Sequence, residues 1–176
     1  MARWVILGKG GHASVLRWAL EQENGEIVST ESDDDVRPDD YLAVGMGDVE
    51  RRRAKYVKFG NHRFPPVIHP SAIYPSSIAI SGLQLMAGAI VQPGCELGHN
   101  VLINTGAQID HDCTIGDHCI ISPGAILCGN VELGEACEIG AGVIIVQGVK
   151  LVAETKIPAG SLVVGPNDVR RPRRAN

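Results

Sequence analysis

A chain of 176 residues with a formal net charge of −4 has room for one domain, or for one small and one medium domain, with a real core, and its acidic balance argues against general nucleic-acid binding. Aromatic residues make up only 4 %, so the core must be filled by small and branched aliphatic side chains. No apolar run is long enough to span a membrane and no secretory leader opens the chain, so we expect a cytoplasmic protein without a membrane partner.

The opening 68 residues alternate strand and helix. Trp4-Val5-Ile6-Leu7 reads as a buried strand that runs into Gly8-Lys9-Gly10-Gly11-His12. Ala13 to Glu23 then carries apolar residues at helical spacing (Val15, Leu16, Ala19, Leu20) and stops near Asn24-Gly25. Ile27-Val28-Ser29 is a second strand, Glu31 to Asp40 an acidic loop, and Leu42 to Gly45 a third strand. A basic helix follows over 49–58, and Phe64 to Ile68 is expected as a fourth strand of a parallel α/β unit, a small Rossmann-like domain over 1–68.

The glycine loop matches G-x-G-x-x-A through Gly8, Gly10 and Ala13. Such a turn exposes backbone N–H groups at a helix N-terminus, which suits a diphosphate. The unit is too short for two mononucleotide halves, so a nucleotide-sugar diphosphate is the preferred ligand. An ordinary strand–helix turn and NAD are the other readings. Gly47-Asp48 ends the third strand on the same carboxyl edge of the sheet. Candidate ligand residues here are Gly8, Gly10, Gly11, His12, Gly47 and Asp48; Asp33-Asp34-Asp35 reads as a solvated loop, with a ribose or base contact as the weaker reading.

His69-Pro70 marks a junction, and the chain over 69–176 then follows a ruler of six. Ile73, Ala79, Leu85, Val91 and so on to Val163 make sixteen successive slots, fifteen branched aliphatics and one alanine, with no insertion. The slot two residues earlier is small or apolar, as at Ser71, Ser77, Ala89, Cys113 and Ala125. Residues i−2 and i share a strand face, so each hexad reads as a short strand with two residues inward, then a corner. Glycine after the aliphatic slot (Gly98, Gly116, Gly134, Gly140) suits a corner that needs unusual φ. Hexads of this kind are the signature of a parallel β-helix. Three per coil would give about five coils and a prism roughly 25 Å tall at ~4.8 Å per stacked strand. Four of the five cysteines (Cys95, Cys113, Cys119, Cys137) occupy the small inward slot and read as buried small hydrophobes rather than disulfides or metal ligands. Arg170 to Arg174 forms a basic tail, either a soluble end or an attractor of phosphates.

His111 falls at a corner, two residues past the slot at Ile109, and should face outward. Stacking at eighteen residues puts Pro93 and Gly129 on either side of it. Gly129 leaves a notch and a backbone N–H beside the imidazole, while Asp112 could hold the ring if the corner turns sharply enough. The other reading is a plain surface histidine, and His99, at the same hexad position but followed by Asn100, is the matched control.

Gly8-Lys9-Gly10-Gly11-His12, Val67-Ile68-His69-Pro70-Ser71-Ala72, Ile103-Asn104-Thr105, Ile109-Asp110-His111-Asp112-Cys113 and Ile121-Ser122-Pro123-Gly124-Ala125 to Gly129-Asn130 together resemble the hexapeptide-repeat sugar O/N-acetyltransferases of the sialic-acid and bacillosamine acetyltransferase type. The resemblance covers nearly the whole chain. It implies a left-handed β-helix, a homotrimer with sites between subunits, acetyl-CoA as donor without a metal, and an N-terminal domain holding a nucleotide-activated sugar. It places the catalytic histidine on His111, its acidic partner on Asp112, the thioester-binding amide on Gly129, an asparagine of the acceptor site on Asn104, and coenzyme A contacts at Gly129, Ala141 and Gly142. Two places depart from the pattern: Ile120 stands where relatives often carry a second histidine, and Val164-Gly165-Pro166-Asn167-Asp168 replaces the usual Val-Gly-x-Pro-Ala-Lys.

The expected activity is therefore N-acetylation of a nucleotide-linked amino sugar with His111 as general base. O-acetylation of sialic acid or a related sugar is the alternative within the same chemistry. A metal-dependent β-helix hydratase would need His99, His111 and His118 to converge, and a purely structural β-helix would have no use for the glycine loop or the notch.

Overall fold

The computed structural model describes residues 2–21, 25–76, 78 and 80–171. Strands β1 (Ala2–Leu7), β2 (Gly25–Thr30) and β3 (Tyr41–Val44) form a parallel sheet in the order β2-β1-β3, with helices α1 (Gly11–Leu20) and α2 (Val49–Lys58). Helix α1 buries Ala13, Leu16, Ala19 and Leu20, the stripe its spacing foretold, and begins two residues earlier than expected because Gly10 serves as N-cap. Its expected continuation over 22–24 lies outside the described residues. Helix α2 has the predicted bounds, and the Asp48 carboxylate caps it by accepting from the Arg51 N–H at 2.8 Å.

The expected fourth strand does not join this sheet beyond a single parallel bridge, Tyr41 to Arg63, with the Leu42 N–H donating to Arg63 O at 2.9 Å. Val67–Ile68 pairs in parallel with Gln84–Leu85, inside the solenoid, so the α/β sheet has three strands. Phe64 still packs in the small domain, against the layer of Val5, Leu7, Leu42, Val44 and Phe59. After α2 the chain thus crosses to the β-helix and pairs there with a strand that the α/β sheet cannot offer.

The remainder is a parallel β-helix of two-residue strands, and each strand pairs with the one eighteen residues on. One ladder joins the strands at 96, 114, 132 and 150, a second those at 84, 102, 120, 138 and 156, and a third those at 90, 108, 126, 144 and 162. From Leu85 to Val163 the aliphatic slots point inward with Ala89, Cys113, Cys119, Ala125 and Cys137 beside them in one core. The cysteines are free.

The ruler fails in the first coil. Val67 pairs with Gln84 and Ile73 with Ile90, steps of seventeen rather than eighteen. Ile73 is therefore 63 % exposed, while its neighbours Ala72 and Tyr74 pack on the core. A strand's faces alternate, so one missing residue moves the neighbouring position inward. Ser71, the small slot paired with Ile73, is likewise exposed, and Ser77 and Ala79 lie outside the described residues.

The corners also follow a different rule from the expected one. Positive φ recurs at every sixth residue from Gly82 to Gly160, and Asn100, Asp112, His118, Asn130, Ala136 and Glu154 adopt it without being glycine. Gly98, Gly116, Gly134 and Gly140 have no positive φ; a Cβ on Gly116 would meet the Glu135 N–H nitrogen of the next coil at 2.7 Å. Close stacking of coils, not unusual φ, is what these glycines serve.

Outward residues distinguish the three faces. The 84–156 ladder turns Leu102 and Ile120, with Met86 and Ala136, against Trp4, Ile6, Leu16 and Leu20, which seats the α/β unit on the solenoid. The 96–150 ladder shows Glu96, Thr114, Glu132 and Lys150 to solvent. The 90–162 ladder shows Ile90, Gln108, Ile126, Ile144 and Leu162, and here Ile144 is 41 % and Leu162 36 % exposed. The chain closes with a hairpin, Leu162–Gly165 antiparallel to Asp168–Arg170; the tail over 172–176 lies outside the described residues.

Candidate active site

Two separate clusters carry the expected residues. The first sits at the corner that follows the apolar face. Asp112 has φ 57°, and this left-handed kink turns its side chain back on its neighbour. His111 Nδ1 and Asp112 Oδ2 are 2.7 Å apart. A carboxylate only accepts, so the proton of the neutral ring sits on Nδ1 and Nε2 is left as a bare base. The pair is held from below by Asp112 N–H donating to Pro93 O at 3.2 Å and from above by Asn130 N–H donating to His111 O at 3.0 Å. The Asp112 hydrogen bond, helped by the charge of Asp110, raises the His111 pKa above its ordinary value.

Gly129 lies directly over the ring. A Cβ there would stand 2.7 Å from both Cε1 and Nε2 of His111, so the notch exists only because the side chain is absent. The Gly129 N–H has no hydrogen-bond partner among the described residues, although the strands on either side are paired. A bare imidazole nitrogen beside an unused amide donor is the geometry that a carbonyl undergoing attack requires. Beside this corner, on the apolar face, Gln92, Gln108, Asp110, Ile126 and Cys128 line a groove of about 230 Å³.

Asn104, Ala141 and Gly142 are not part of this corner. They stand at the opposite edge of the apolar face, before its strands rather than after them. Asn104 Oδ1 accepts from the Thr105 N–H at 2.8 Å, and Ala141 and Gly142 are exposed. Ile120 is 3 % exposed beneath the α/β unit, where it is a core residue. His99 lies exposed at another corner and takes its fixed contact from the backbone, where its N–H donates to Asp117 Oδ1 at 2.8 Å. His118 is buried and bonded to Asn100, and no group of three or more histidine, cysteine or acidic side chains converges as a metal site among the described residues.

The second cluster is in the α/β unit. Gly8, Gly10, Gly11, His12, Gly47 and Asp48 line one pocket of about 160 Å³ at the carboxyl edge of the sheet, joined by Lys9, Glu31, Gly45, Met46 and Arg51. Gly8 must lack a side chain, since a Cβ would meet Gly45 O at 2.8 Å, whereas Gly10 and Gly11 face open space. Glu31 and Arg51 were not singled out by sequence. Glu31 follows directly on β2, and that position at a strand's carboxyl end was the available signal.

Behind the pocket lies a buried group that no local pattern announces. Arg52 is fully buried on α2, without a carboxylate partner among the described residues. It donates to Asn100 O at 3.2 Å, Val44 O at 2.9 Å and Gln84 Oε1 at 2.9 Å. Burial pulls its pKa down to about 9, so it stays charged at neutral pH. Gln84 Oε1 also meets His12 Nε2 at 2.8 Å. Burial, offset in part by this bond and reinforced by the Arg52 charge, lowers the His12 pKa to about 4.

Comparisons agree with this architecture. The bacterial transferase hexapeptide family (six repeats) matches residues 94–129 and 112–147. The acetyltransferase domain of PglB from Neisseria gonorrhoeae FA1090 superposes with a TM-score of 0.82 at 29 % identity, covering 94 % of this chain and 92 % of that one. PerB from Caulobacter crescentus, solved with CoA and GDP-perosamine, gives 0.79 at 29 % identity over 94 % of this chain and 89 % of that one. WeeI from Acinetobacter baumannii AYE shares the fold at 21 % identity and a TM-score of 0.55, covering 97 % of this chain and 99 % of that one. No curated protein gives a significant sequence match. No helix among the described residues is long and apolar enough to cross a membrane.

Proposed function

We propose that this chain, a hexapeptide-repeat sugar acetyltransferase in its repeat and its fold, acetylates the amino group of a sugar carried on a nucleoside diphosphate. The observation that carries the reading is the His111–Asp112 pair set against the side-chain-free Gly129, with Nε2 bare and an amide donor unused. The relatives add the ligand classes: the PglB domain was also solved with acetyl coenzyme A, and PerB with CoA and GDP-perosamine. Acetyl-CoA suits the corner because a thioester oxygen needs a donor, and the unused Gly129 N–H offers one.

In this reading Nε2 of His111 takes the proton as the sugar nitrogen attacks the thioester carbon. The new N–C bond forms, the C–S bond breaks, and the thiolate of CoA leaves to collect a proton. Asp112 keeps the ring oriented and steadies the imidazolium. The Gly129 N–H donates to the oxygen on which charge develops.

The site closes only between chains. His111 and Gly129 stand at the trailing edge of the apolar face, and Asn104, Ala141 and Gly142 at its leading edge. A second copy is the occupant of that face: rotation about a three-fold axis brings the leading edge of one chain to the trailing edge of the next and closes the ring. The face that carries the α/β unit ends at the Asn104 edge, so a sugar held in that unit's pocket would be delivered toward a neighbour's His111.

The test is release of free thiol from acetyl-CoA with nucleotide-linked amino sugars and, in parallel, with sialic acid as the hydroxyl acceptor. His111→Ala should lower kcat by about 10²–10⁴ with folding intact, and His99→Ala should be nearly silent. Mixed trimers of His111→Ala and Asn104→Ala chains should regain activity. A fully active monomer, or a loss below about threefold in His111→Ala, would end this reading.

A further inference from the structure

The buried contacts behind the α/β pocket form a one-way chain of hydrogen-bond polarity. Arginine has donors only, so the Gln84 atom that faces Arg52 Nη1 at 2.9 Å must be the oxygen. The other amide atom, Nε2, then donates to Val44 O at 3.1 Å, and the geometry agrees. Gln84 Oε1 therefore accepts from both sides, and His12 Nε2, 2.8 Å away, must carry a proton. A neutral imidazole with its proton on Nε2 has a bare Nδ1. That atom meets no protein partner among the described residues, yet unlike His62 Nδ1 it is not sealed from solvent. His12 lines the pocket, and Nδ1 is the ring nitrogen left free for a ligand there.

We propose that Arg52 and Gln84 are positioning residues that hold His12 as its Nε2–H tautomer, so that Nδ1 accepts a hydrogen bond from a hydroxyl or N–H of the bound ligand. This rests on the nucleotide-sugar reading only for the name of the ligand. A phosphate oxygen cannot fill that role, since it too only accepts. The pocket thus divides its tasks: the amides at the start of α1 face the diphosphate, and His12 selects a donor on the sugar or ribose. The lowered pKa keeps the ring neutral over the physiological range, which the role demands. The charged groups around it are Arg52 behind, and Lys9, Glu31, Asp48 and Arg51 around the pocket rim.

Nitrogen-15 NMR of the imidazoles in the wild-type protein tests the tautomer without any ligand. His12 should show a protonated Nε2 and a bare Nδ1 at neutral pH, unchanged down to about pH 5. A proton on Nδ1, or titration near the ordinary histidine value, overturns the proposal. Gln84→Glu then supplies the second readout, with the Val44 carbonyl still held by Arg52. A carboxylate beside Nε2 should raise the His12 pKa, and as pH falls from about 8 to about 6 the KM for the nucleotide sugar should rise about tenfold, the worth of one lost hydrogen bond. The acetyl-CoA KM should stay flat. A flat nucleotide-sugar KM in Gln84→Glu, with His12 shown to be protonated, also refutes the role. Wild-type titration with uridine, thymidine and guanosine diphosphates separates the two ideas: if none binds while the tautomer stands, the ligand reading fails and the relay does not.

Discussion

Replacing Gly129 with alanine tests the catalytic corner with a single methyl group. The added Cβ would stand 2.7 Å from Cε1 and Nε2 of His111, whereas carbon contacts are comfortable near 3.5 Å. The ring must therefore retreat by roughly 0.8 Å, or swing about χ1 into solvent. Either is easy, because the His111 side chain is 51 % exposed and the opposing atoms are the far end of a mobile side chain rather than backbone. Gly129 itself does not sit at positive φ, so alanine brings no backbone strain. Stability should change by less than about 1 kcal/mol. Catalysis should respond quite differently, since a misplacement near 1 Å at the reacting atoms costs about a hundredfold, or about 2.7 kcal/mol of barrier. The assay is thiol release from acetyl-CoA at saturating sugar, with a thermal melt of the same sample. A variant that melts like the wild type and keeps more than about a third of its kcat would show that the notch over His111 is not where the reaction occurs.

Asp112→Asn should move the acid limb of the kcat/KM profile to lower pH and lower its plateau about 10- to 100-fold, because the hydrogen bond that raises the His111 pKa is gone. The sign is fixed by the base form: activity grows as pH rises through the raised pKa, whereas any stability from the His111–Asp112 pair is full below the unfolded value and lost over that same rise; a limb that stays in place, followed by initial rates, would exclude Asp112 from the pair. Ile144→Arg places a charge on the apolar face and should yield monomers by light scattering with thiol release lost; active monomers would contradict the shared site. Gly10→Val points a side chain into open space at the pocket mouth, so the KM for the nucleotide sugar should rise about tenfold or more while acetyl-CoA binding by calorimetry is unchanged; loss of both would mark a merely structural glycine.

The hexad ruler was legible because it is local and repeated. Each slot meets the same demand, a branched side chain turned into a narrow prism, so from Leu85 to Val163 the register in the sequence is the register in space. The spacing of eighteen that stacks His111 on Gly129 follows from the same repetition. The glycine loop and Gly47-Asp48 were placed on one sheet edge by the parallel strand order that strand–helix alternation implies. What escaped depends on contacts between distant segments. The step of seventeen in the first coil arises because Ile68, Tyr74 and Ile80 pack on the core at the six-residue spacing and Leu85 follows only five residues on, and an aliphatic at Ile73 looks the same in or out of phase. Asp112 reaches His111 through the left-handed φ of its corner, a conformation that recurs every sixth residue whatever the residue type. Arg52, in a helix whose neighbours Arg51 and Arg53 are an exposed pocket-rim residue and a partner of the solenoid's Glu135 and Glu154, becomes a buried cation because Asn100, Gly82 and Gln84 arrive from the other unit with carbonyl oxygens. Burial of a charge is decided by what surrounds it on all sides, and no window along the chain contains that information.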